Sequence, residues 1–165
     1  MKIALPGYRA GFFLVALACT GAMAFALFAQ YVMGLEPCPL CIFQRVGVIA
    51  AGLLALIAAL TNPGRTGARV WAVLVSLAAL AGGAVSVRHV WLQSLPADQV
   101  PACGPGLSYM LETMPMATML GKVLKGSGEC AKIDWTLFGQ SMPFWTGVFF
   151  AGIIVWVMVV AFGRR

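Results

Sequence analysis

The chain has 165 residues, of which 61 % are hydrophobic and 10 % charged, and its 11 Lys and Arg against 5 Asp and Glu give a net charge of +6. A soluble domain is roughly 25 % charged and less than half apolar, so this composition excludes a water-soluble enzyme and a disordered tail. It equally excludes a module that uses its positive charge to bind nucleic acid. The composition indicates a small integral membrane protein.

Four uncharged windows divide the chain, and each is long enough for a transmembrane helix, which needs about 17 to 25 apolar residues. The windows cover 10–35, 46–64, 70–87 and 135–163, and they predict spans at 11–33, 42–61, 70–91 and 144–162. The predicted fold is an all-α membrane protein, a four-transmembrane-helix bundle that forms a single domain over 1–165. A short outer loop at 34–41 and a long outer loop at 92–143 connect the spans.

The basic residues indicate the orientation of these spans. The termini and the link after the second span contain no acidic residue and six basic ones, namely Lys2, Arg9, Arg65, Arg69, Arg164 and Arg165. On the other side, five basic residues are balanced by five acidic ones. Because cytoplasmic segments are enriched in Lys and Arg, both termini are predicted in the cytoplasm and both loops outside.

The first window also resembles a cleaved signal peptide, because Lys2 and Arg9 precede it and it contains Ala22-Met23-Ala24 and Ala24-Phe25-Ala26. The apolar region of a signal peptide covers about 7 to 15 residues, however, so the much longer run here favours a retained span. Both loops lie outside in either case.

Four of the five cysteines fall in the two outer loops. The short loop carries Cys38 and Cys41 in a C-x-x-C motif, and the long loop carries Cys103 and Cys130. Outside a bacterial inner membrane, exposed cysteines are expected to form disulfides. Four cysteines can form two disulfides in three ways, and their spacing in the sequence favours bonds between Cys38 and Cys41 and between Cys103 and Cys130. The fifth, Cys19, is interpreted as an apolar-like residue within the first span.

The C-x-x-C motif stands at the start of the second span. Proline is tolerated in the first helical turn, so Cys38 is predicted as the cap and Cys41 as the third helical residue. Cys41 then lies among unpaired backbone N–H groups, and Arg45 lies one turn further on the same face. Both features favour a reactive thiolate. In the alternative, Arg45 only reaches out to the lipid headgroups.

The third span ends on the outer side with Arg88 and His89, followed by Trp91 and Gln93. If the second and third helices pack together, His89 and Arg45 would line one shallow pocket. A thiolate, an arginine and an imidazole at the lipid boundary suit a lipophilic acceptor with carbonyl oxygens, which is a quinone. Arg88 and Trp91 are interpreted as interfacial anchors. For His89 and Gln93, a role in the pocket and an incidental position are equally well supported.

The long loop favours a reactive disulfide over a static one. As a staple, a bond between Cys103 and Cys130 would contribute roughly 3 to 4 kcal/mol in the loop-entropy model. Glycine and proline flank both cysteines, which is typical of exposed, mobile backbone, and exposed disulfides tend to be the catalytic ones. The methionine-rich segment 107–125 between them is predicted to lie along the membrane surface rather than to bind copper(I).

Several motifs follow one another in a recognisable order. They are Cys38-Pro39-Leu40-Cys41 with Ile42-Phe43-Gln44-Arg45, then His89 with Gln93, Cys103, and Gly128-Glu129-Cys130-Ala131 leading through Trp135 to Met142-Pro143-Phe144-Trp145. In this order and with this topology, over nearly the whole chain, the sequence resembles the DsbB family of disulfide bond formation proteins. Cys19 is an addition to the family's pattern.

The resemblance implies an oxidoreductase of the bacterial inner membrane that transfers electrons from protein dithiols to a quinone. The Cys103–Cys130 disulfide would oxidise a DsbA-like periplasmic protein of the thioredoxin fold, with Cys103 in the mixed disulfide. Cys130 would exchange with Cys38, and Cys41 as thiolate would pass the electrons to ubiquinone, or to menaquinone under anaerobic conditions.

The resemblance also implies a quinone site and no metal. Arg45 would stabilise the charge-transfer state of Cys41, and His89, Gln93 and Gln44 would lie near the quinone. Gln44 stands where some relatives have an acidic residue.

Three alternatives stand beside this interpretation. A zinc site lacks a second closely spaced cysteine pair, and an oxidising compartment opposes thiolate ligands. A non-enzymatic membrane scaffold stapled by disulfides stays open, whereas a transporter is disfavoured because no acidic residue lies in any span. An oxidase like vitamin K epoxide reductase would carry its C-x-x-C motif after the other cysteine pair, whereas here Cys38 and Cys41 come first.

Overall fold

A computed structural model describes residues 7–96, 98–101, 112–113 and 115–163. Its helices and strands, in chain order, are α1 (Tyr8–Tyr31), α2 (Pro39–Thr61), α3 (Arg65–Gln93), α4 (Met116–Lys125), α5 (Gly128–Ala131), β1 (Thr136–Leu137), β2 (Gln140–Ser141) and α6 (Met142–Phe162). The long helices α1, α2, α3 and α6 each overlap one predicted span.

These four helices are long and apolar enough to cross a membrane. Only 28 to 33 % of the residues in each apolar window are buried inside the protein. Large apolar side chains point outward along their length, and Leu60 and Val87, for example, are 69 % and 70 % exposed. Water would penalise such a surface, whereas lipid does not. The predicted class, a four-helix membrane bundle, is confirmed.

Small residues allow the helices to approach closely. α1 packs on α2, α2 on α3 and α3 on α6. Where α2 crosses α3, a side-chain carbon built on Gly47 would lie only 2.9 Å from the Cα of Gly82, and the ring of Phe150 from α6 covers the same point. Such contacts replace the hydrophobic effect, which does not drive helix association in lipid. The start of α2 is thereby held beside the end of α3.

The beginning of α1 and the end of α6 lie at the same end of the bundle. The indole N–H of Trp156 on α6 donates to the carbonyl of Gly11 on α1 at 3.1 Å, and Gly11 packs against Val160. The link between α2 and α3 turns at this end through Asn62, whose φ of 43° is left-handed. The segments that carry Cys38 and Cys130 therefore lie at the opposite end.

A short hairpin precedes α6 and was not predicted from the sequence. Thr136 pairs with Ser141 and Leu137 with Gln140 in antiparallel register. The two turn residues, Phe138 and Gly139, have φ values of 51° and 77°. Two successive positive φ values are typical of the tight turns whose twist matches a hairpin. The hairpin leads directly into Met142, the first residue of α6.

Candidate functional site

The C-x-x-C motif begins α2 as predicted. Cys38 is the cap residue, with an extended backbone, and Pro39 occupies the first turn. The Sγ of Cys38 accepts a hydrogen bond from the backbone N–H of Cys41 at 3.4 Å and lies 3.3 Å from the Sγ of Cys41. Since the first N–H groups of a helix have no partner within it, the Cys41 sulfur lies where negative charge is stabilised.

Arg45 turns toward α1 rather than out to the headgroups. One guanidinium nitrogen donates to the side-chain oxygen of Gln30, and the other donates to the carbonyl of Ala26 at 3.1 Å. Both partners belong to the last turns of α1. This arrangement differs from the headgroup-directed alternative, because the positive charge is held inside the protein, beside the cavity that Cys41 also lines.

His89, on the last turn but one of α3, is 2 % exposed. Its Nε2 lies 3.0 Å from the carbonyl oxygen of Cys130 and 3.7 Å from the Sγ of Cys38. Its Nδ1 lies 3.1 Å from the amide nitrogen of Gln44, which is itself 4 % exposed. With the Gln44 amide donating to Nδ1, Nε2 carries the proton and donates to the Cys130 carbonyl. The imidazole therefore links α2, α3 and α5.

Cys130 is held against the start of α2 by an apolar cluster formed with Leu40, Leu92 and Val123. Its Sγ, the Sγ of Cys38 and a ring nitrogen of His89 all lie within 4.8 Å of one another. The hydrogen-bonded contact with Cys38 and, next, burial raise the pKa of the Cys130 thiol well above its usual range. Cys130 is therefore a neutral thiol at physiological pH in this arrangement.

The remaining cysteines differ in position. Cys103 lies outside the described residues, so its expected pairing with Cys130 stays a prediction. Cys19 is 4 % exposed and packs in the bundle core near Gly52 of α2. This agrees with its interpretation as an apolar-like residue. Among the cysteines that the structure describes, Cys19, Cys38, Cys41 and Cys130 are all free thiols.

Gln93 lines the cavity, but its polar atoms hold other parts of the chain. Its side-chain oxygen accepts from the hydroxyl of Ser141 at 2.6 Å, and its amide nitrogen donates to the carbonyl of Lys132 at 3.4 Å. It therefore ties the end of α3 to the segment after α5 and to the start of α6. The sequence placed Gln93 near the quinone and did not indicate this connecting contact.

A cavity of about 640 Å³ opens beside these residues. Its volume falls in the range of small-molecule sites, about 300 to 1,000 Å³. Apolar side chains from α1, α2 and α6 form much of its wall, including Phe25, Val48 and Phe149. The predicted polar residues that line it are Cys38, Cys41, Gln44, Arg45, His89 and Gln93. The cavity therefore combines an apolar wall with polar and charged side chains.

A pair of cysteines capping a membrane helix, with a third cysteine packed against them, defines a class of membrane-embedded thiol–disulfide oxidoreductases. The chain belongs to the DsbB family, since residues 8–160 match the family model described as disulfide bond formation protein DsbB. The predicted resemblance is thereby confirmed.

Individual relatives agree with this family. The chain is 64 % identical over 157 residues to disulfide bond formation protein B of Chromobacterium violaceum, covering 95 % of this chain and 94 % of that protein. It is 54 % identical over 157 residues to the protein of that name from Hahella chejuensis, with the same coverage of 95 % and 94 %. Over 143 residues it is 54 % identical to the one from Acinetobacter baylyi, covering 86 % and 84 %. These matches support a general role in disulfide bond formation.

Proposed function

We propose that the protein reoxidises a DsbA-like disulfide donor of the periplasm and passes the electrons to ubiquinone. The observation that carries this proposal is the meeting of Cys130, from the long connection after α3, with Cys38 of the C-x-x-C motif, within 4.8 Å. This contact joins one cysteine of the disulfide that is expected to oxidise the soluble partner to a cysteine pair that lines the cavity.

The first step reduces the long-loop disulfide. A thiolate of the partner attacks the Sγ of Cys103, the bond between Cys103 and Cys130 breaks, and Cys130 leaves with the electron pair. The place of Cys103 in the mixed disulfide rests on the family resemblance. The partner's second thiol later attacks the partner's own sulfur in that mixed disulfide, so the partner becomes oxidised and Cys103 leaves with the electron pair. The two protons of the partner's dithiol balance the two that the acceptor later takes up.

The second step transfers the electrons to the C-x-x-C pair. Cys130, as the thiolate released in the first step, attacks the Sγ of Cys38, so the Cys38–Cys130 bond forms and the Cys38–Cys41 bond breaks, with Cys41 leaving as a thiolate at the helix N-terminus. The freed Cys103 then attacks the Sγ of Cys130, which restores the Cys103–Cys130 disulfide and releases Cys38. The apolar cluster of Leu40, Leu92 and Val123 supports this step because it holds Cys130 beside Cys38. The His89 contact with the Cys130 carbonyl fixes the same approach.

The third step delivers the electrons to the cavity. When bound, a quinone would supply an acceptor for two electrons and two protons, and the oxidation of Cys38 and Cys41 would re-form their disulfide. Arg45 provides a fixed positive charge beside the Cys41 thiolate, and the apolar wall excludes water from the pair. Gln44, His89 and Gln93 line the same cavity and would limit the orientations of a planar ring.

The proposed location is the bacterial inner membrane, with both termini in the cytoplasm and both loops in the periplasm. The distribution of basic residues supports this orientation. The structure places Cys38 and Cys130 at the opposite end of the bundle from the start of α1, which agrees with it.

Cys41→Ser tests the electron-transfer step. We expect quinone reduction by membranes supplied with reduced partner to be abolished, while the amount of inserted protein stays at the wild-type level. Cys19→Ser is the matched control, because it removes a thiol from the bundle core, and it should retain activity. Quinone reduction that persists in Cys41→Ser would refute the assignment of Cys41.

Cys103→Ala tests the partner step separately. We expect the covalent complex with the partner to disappear from a non-reducing gel. An unchanged complex would move the site of attack to another cysteine.

A further inference from the structure

Three metal-ligand atoms converge at the outer end of α2. They are the Sγ of Cys38, the Sγ of Cys130 and a ring nitrogen of His89, all within 4.8 Å of one another. We propose that the reduced protein captures one Zn²⁺ ion at these three residues, and that the bound ion holds both thiols out of disulfide exchange. The proposed function uses the two thiols in disulfide exchange and assigns no role to the three side chains as a ligand set.

The distance between Cys38 and His89 suits tetrahedral zinc. With Zn–S near 2.3 Å and Zn–N near 2.0 to 2.1 Å, a sulfur and a nitrogen ligand lie about 3.6 Å apart. The Sγ of Cys38 lies 3.7 Å from the Nε2 of His89. Cys41, whose Sγ is 3.3 Å from that of Cys38, can supply a fourth ligand. Two or three thiolates with one imidazole form a common zinc-binding set.

Gln44 is placed to orient the imidazole. A histidine that ligates a metal donates its other ring N–H to an oxygen. The side-chain amide of Gln44 lies 3.1 Å from the Nδ1 of His89, and when turned over it presents its oxygen there. The Nε2, which now faces the Cys130 carbonyl at 3.0 Å, then becomes the ligand atom.

The surroundings favour a cation. Three exposed carboxylates, those of Glu36, Glu129 and Asp134, line the cavity beside the cluster, and they outnumber its two positively charged lining residues, Arg45 and Lys132. Negative charge around a cleft raises the local concentration of cations. Binding exchanges two thiol protons for one Zn²⁺ ion, so two protons are released and no electron is transferred.

The site exists only while the cysteines are reduced. In the oxidised C-x-x-C pair, Cys38 is bonded to Cys41 and has no thiolate to offer. An oxidising compartment opposes a resident zinc ion, whereas capture takes place only between reduction by the partner and reoxidation.

A metal titration tests the proposal without partner or quinone. Purified full-length protein is reduced, desalted without oxygen and titrated with Zn²⁺ against a chromophoric chelator, and Cd²⁺ is used to detect thiolate ligation by its ultraviolet charge-transfer band. We expect one equivalent bound by the reduced protein and none by the oxidised protein. Cys130→Ala and His89→Ala should each weaken binding by about tenfold or more.

Cys19→Ala and Cys103→Ala are the matched controls and should bind as the wild type does. Three results would each overturn the proposal: full affinity in Cys130→Ala, lost affinity in Cys103→Ala, or equal binding by the oxidised protein. The comparison of oxidised with reduced wild type needs no variant, so it stays decisive if a variant misfolds. Because the titration measures no turnover, its failure is distinguishable from failure of the proposed electron transfer.

Discussion

Gln30 on α1 and Arg45 on α2 are joined by a hydrogen bond between the Gln30 side-chain oxygen and the guanidinium group. The Ala26 carbonyl, one turn earlier on α1, binds the same guanidinium at 3.1 Å. α1 therefore holds the guanidinium of Arg45, which lines the same cavity as Cys41. Gln30 is a positioning residue that acts on the site through Arg45.

We expect Gln30→Leu to impair quinone binding more than turnover. A hydrogen bond to a charged group contributes roughly 1.5 to 3 kcal/mol, and about 1.4 kcal/mol corresponds to a tenfold change in affinity. The KM for quinone should therefore rise by about tenfold, with a smaller change in kcat. Steady-state quinone reduction in detergent measures both constants.

Gln140→Leu is a suitable control for this variant, since Gln140 is an exposed residue of the β2 hairpin strand. It should leave both constants unchanged. Gln30→Glu keeps an acceptor for the guanidinium and should restore the low KM. Equal KM values for Gln30→Leu and Gln140→Leu would show that Gln30 does not position Arg45.

Gln44→Leu should slow the meeting of Cys38 with Cys130. The Gln44 amide holds the Nδ1 of His89, and His89 in turn holds the Cys130 carbonyl, so the change frees the imidazole from its fixed orientation. In a Cys41→Ser, Cys103→Ala background, oxidation by diamide can form only the Cys38–Cys130 bond among the outer cysteines. We expect this bond to form several-fold more slowly. A change of this size corresponds to the free energy of about one lost hydrogen bond.

Alkylation of the remaining thiols, followed by electrophoresis, measures that rate. The exposed Gln140→Leu change in the same background gives the reference. An unaltered rate in Gln44→Leu would mean that the apolar cluster around Cys130 is sufficient to place it.

The local part of the site could be predicted from the sequence. The cap at Cys38, the position of Cys41 and the one-turn spacing to Arg45 follow from proline and helix geometry over eight residues. The bundle class followed from the uncharged windows. Each of these features depends on short-range spacing or on composition, which a single sequence displays.

The long-range part could not be predicted in the same way. Gln30 was an ordinary polar residue near the end of an apolar window, and its partner Arg45 lies on the next helix. The packing of Cys130 on Leu40 depends on Val123 of α4 and on Leu92 of α3, which no local pattern brings together. The hairpin was missed because two-residue strands are too short to show an alternating pattern.

The raised pKa of Cys130 predicts a pH dependence of stability for the reduced protein. In the unfolded chain this thiol loses its proton near the usual value of about 8.5, whereas in the folded protein it stays protonated to higher pH. The folded state then binds more protons, so the free energy of unfolding decreases as the pH rises above that value. Thermal unfolding in detergent, from neutral to alkaline pH, should show this decrease.

Two variants separate the causes of that dependence. Cys130→Ala should make the unfolding temperature less sensitive to alkaline pH than it is in the wild type. Cys38→Ala removes the contact that contributes most to the raised pKa, so Cys130 should react with iodoacetamide at lower pH. Identical pH profiles for Cys130→Ala and the wild type would contradict the assignment.

Gly126, between α4 and α5, is expected to be required for placing Cys130. Its φ is +87°, and a side-chain carbon there would collide with Leu92 of the apolar cluster. Gly126→Ala should therefore displace α5 and slow formation of the Cys38–Cys130 bond in the Cys41→Ser, Cys103→Ala background. Backbone strain alone costs about 1 to 3 kcal/mol, and the collision adds to it.

Two other glycines distinguish strain from collision. Gly139 has a φ of +77°, and a side-chain carbon built there has no atom within 4 Å. Gly139→Ala therefore introduces backbone strain without a collision. Gly121→Ala lies in α4 with open space around it and should be neutral or stabilise that helix by up to about 1 kcal/mol. The rate of bond formation should fall in Gly126→Ala and stay near the reference in the other two. A rate in Gly126→Ala equal to that in Gly139→Ala would show that the Leu92 contact does not determine the position of Cys130.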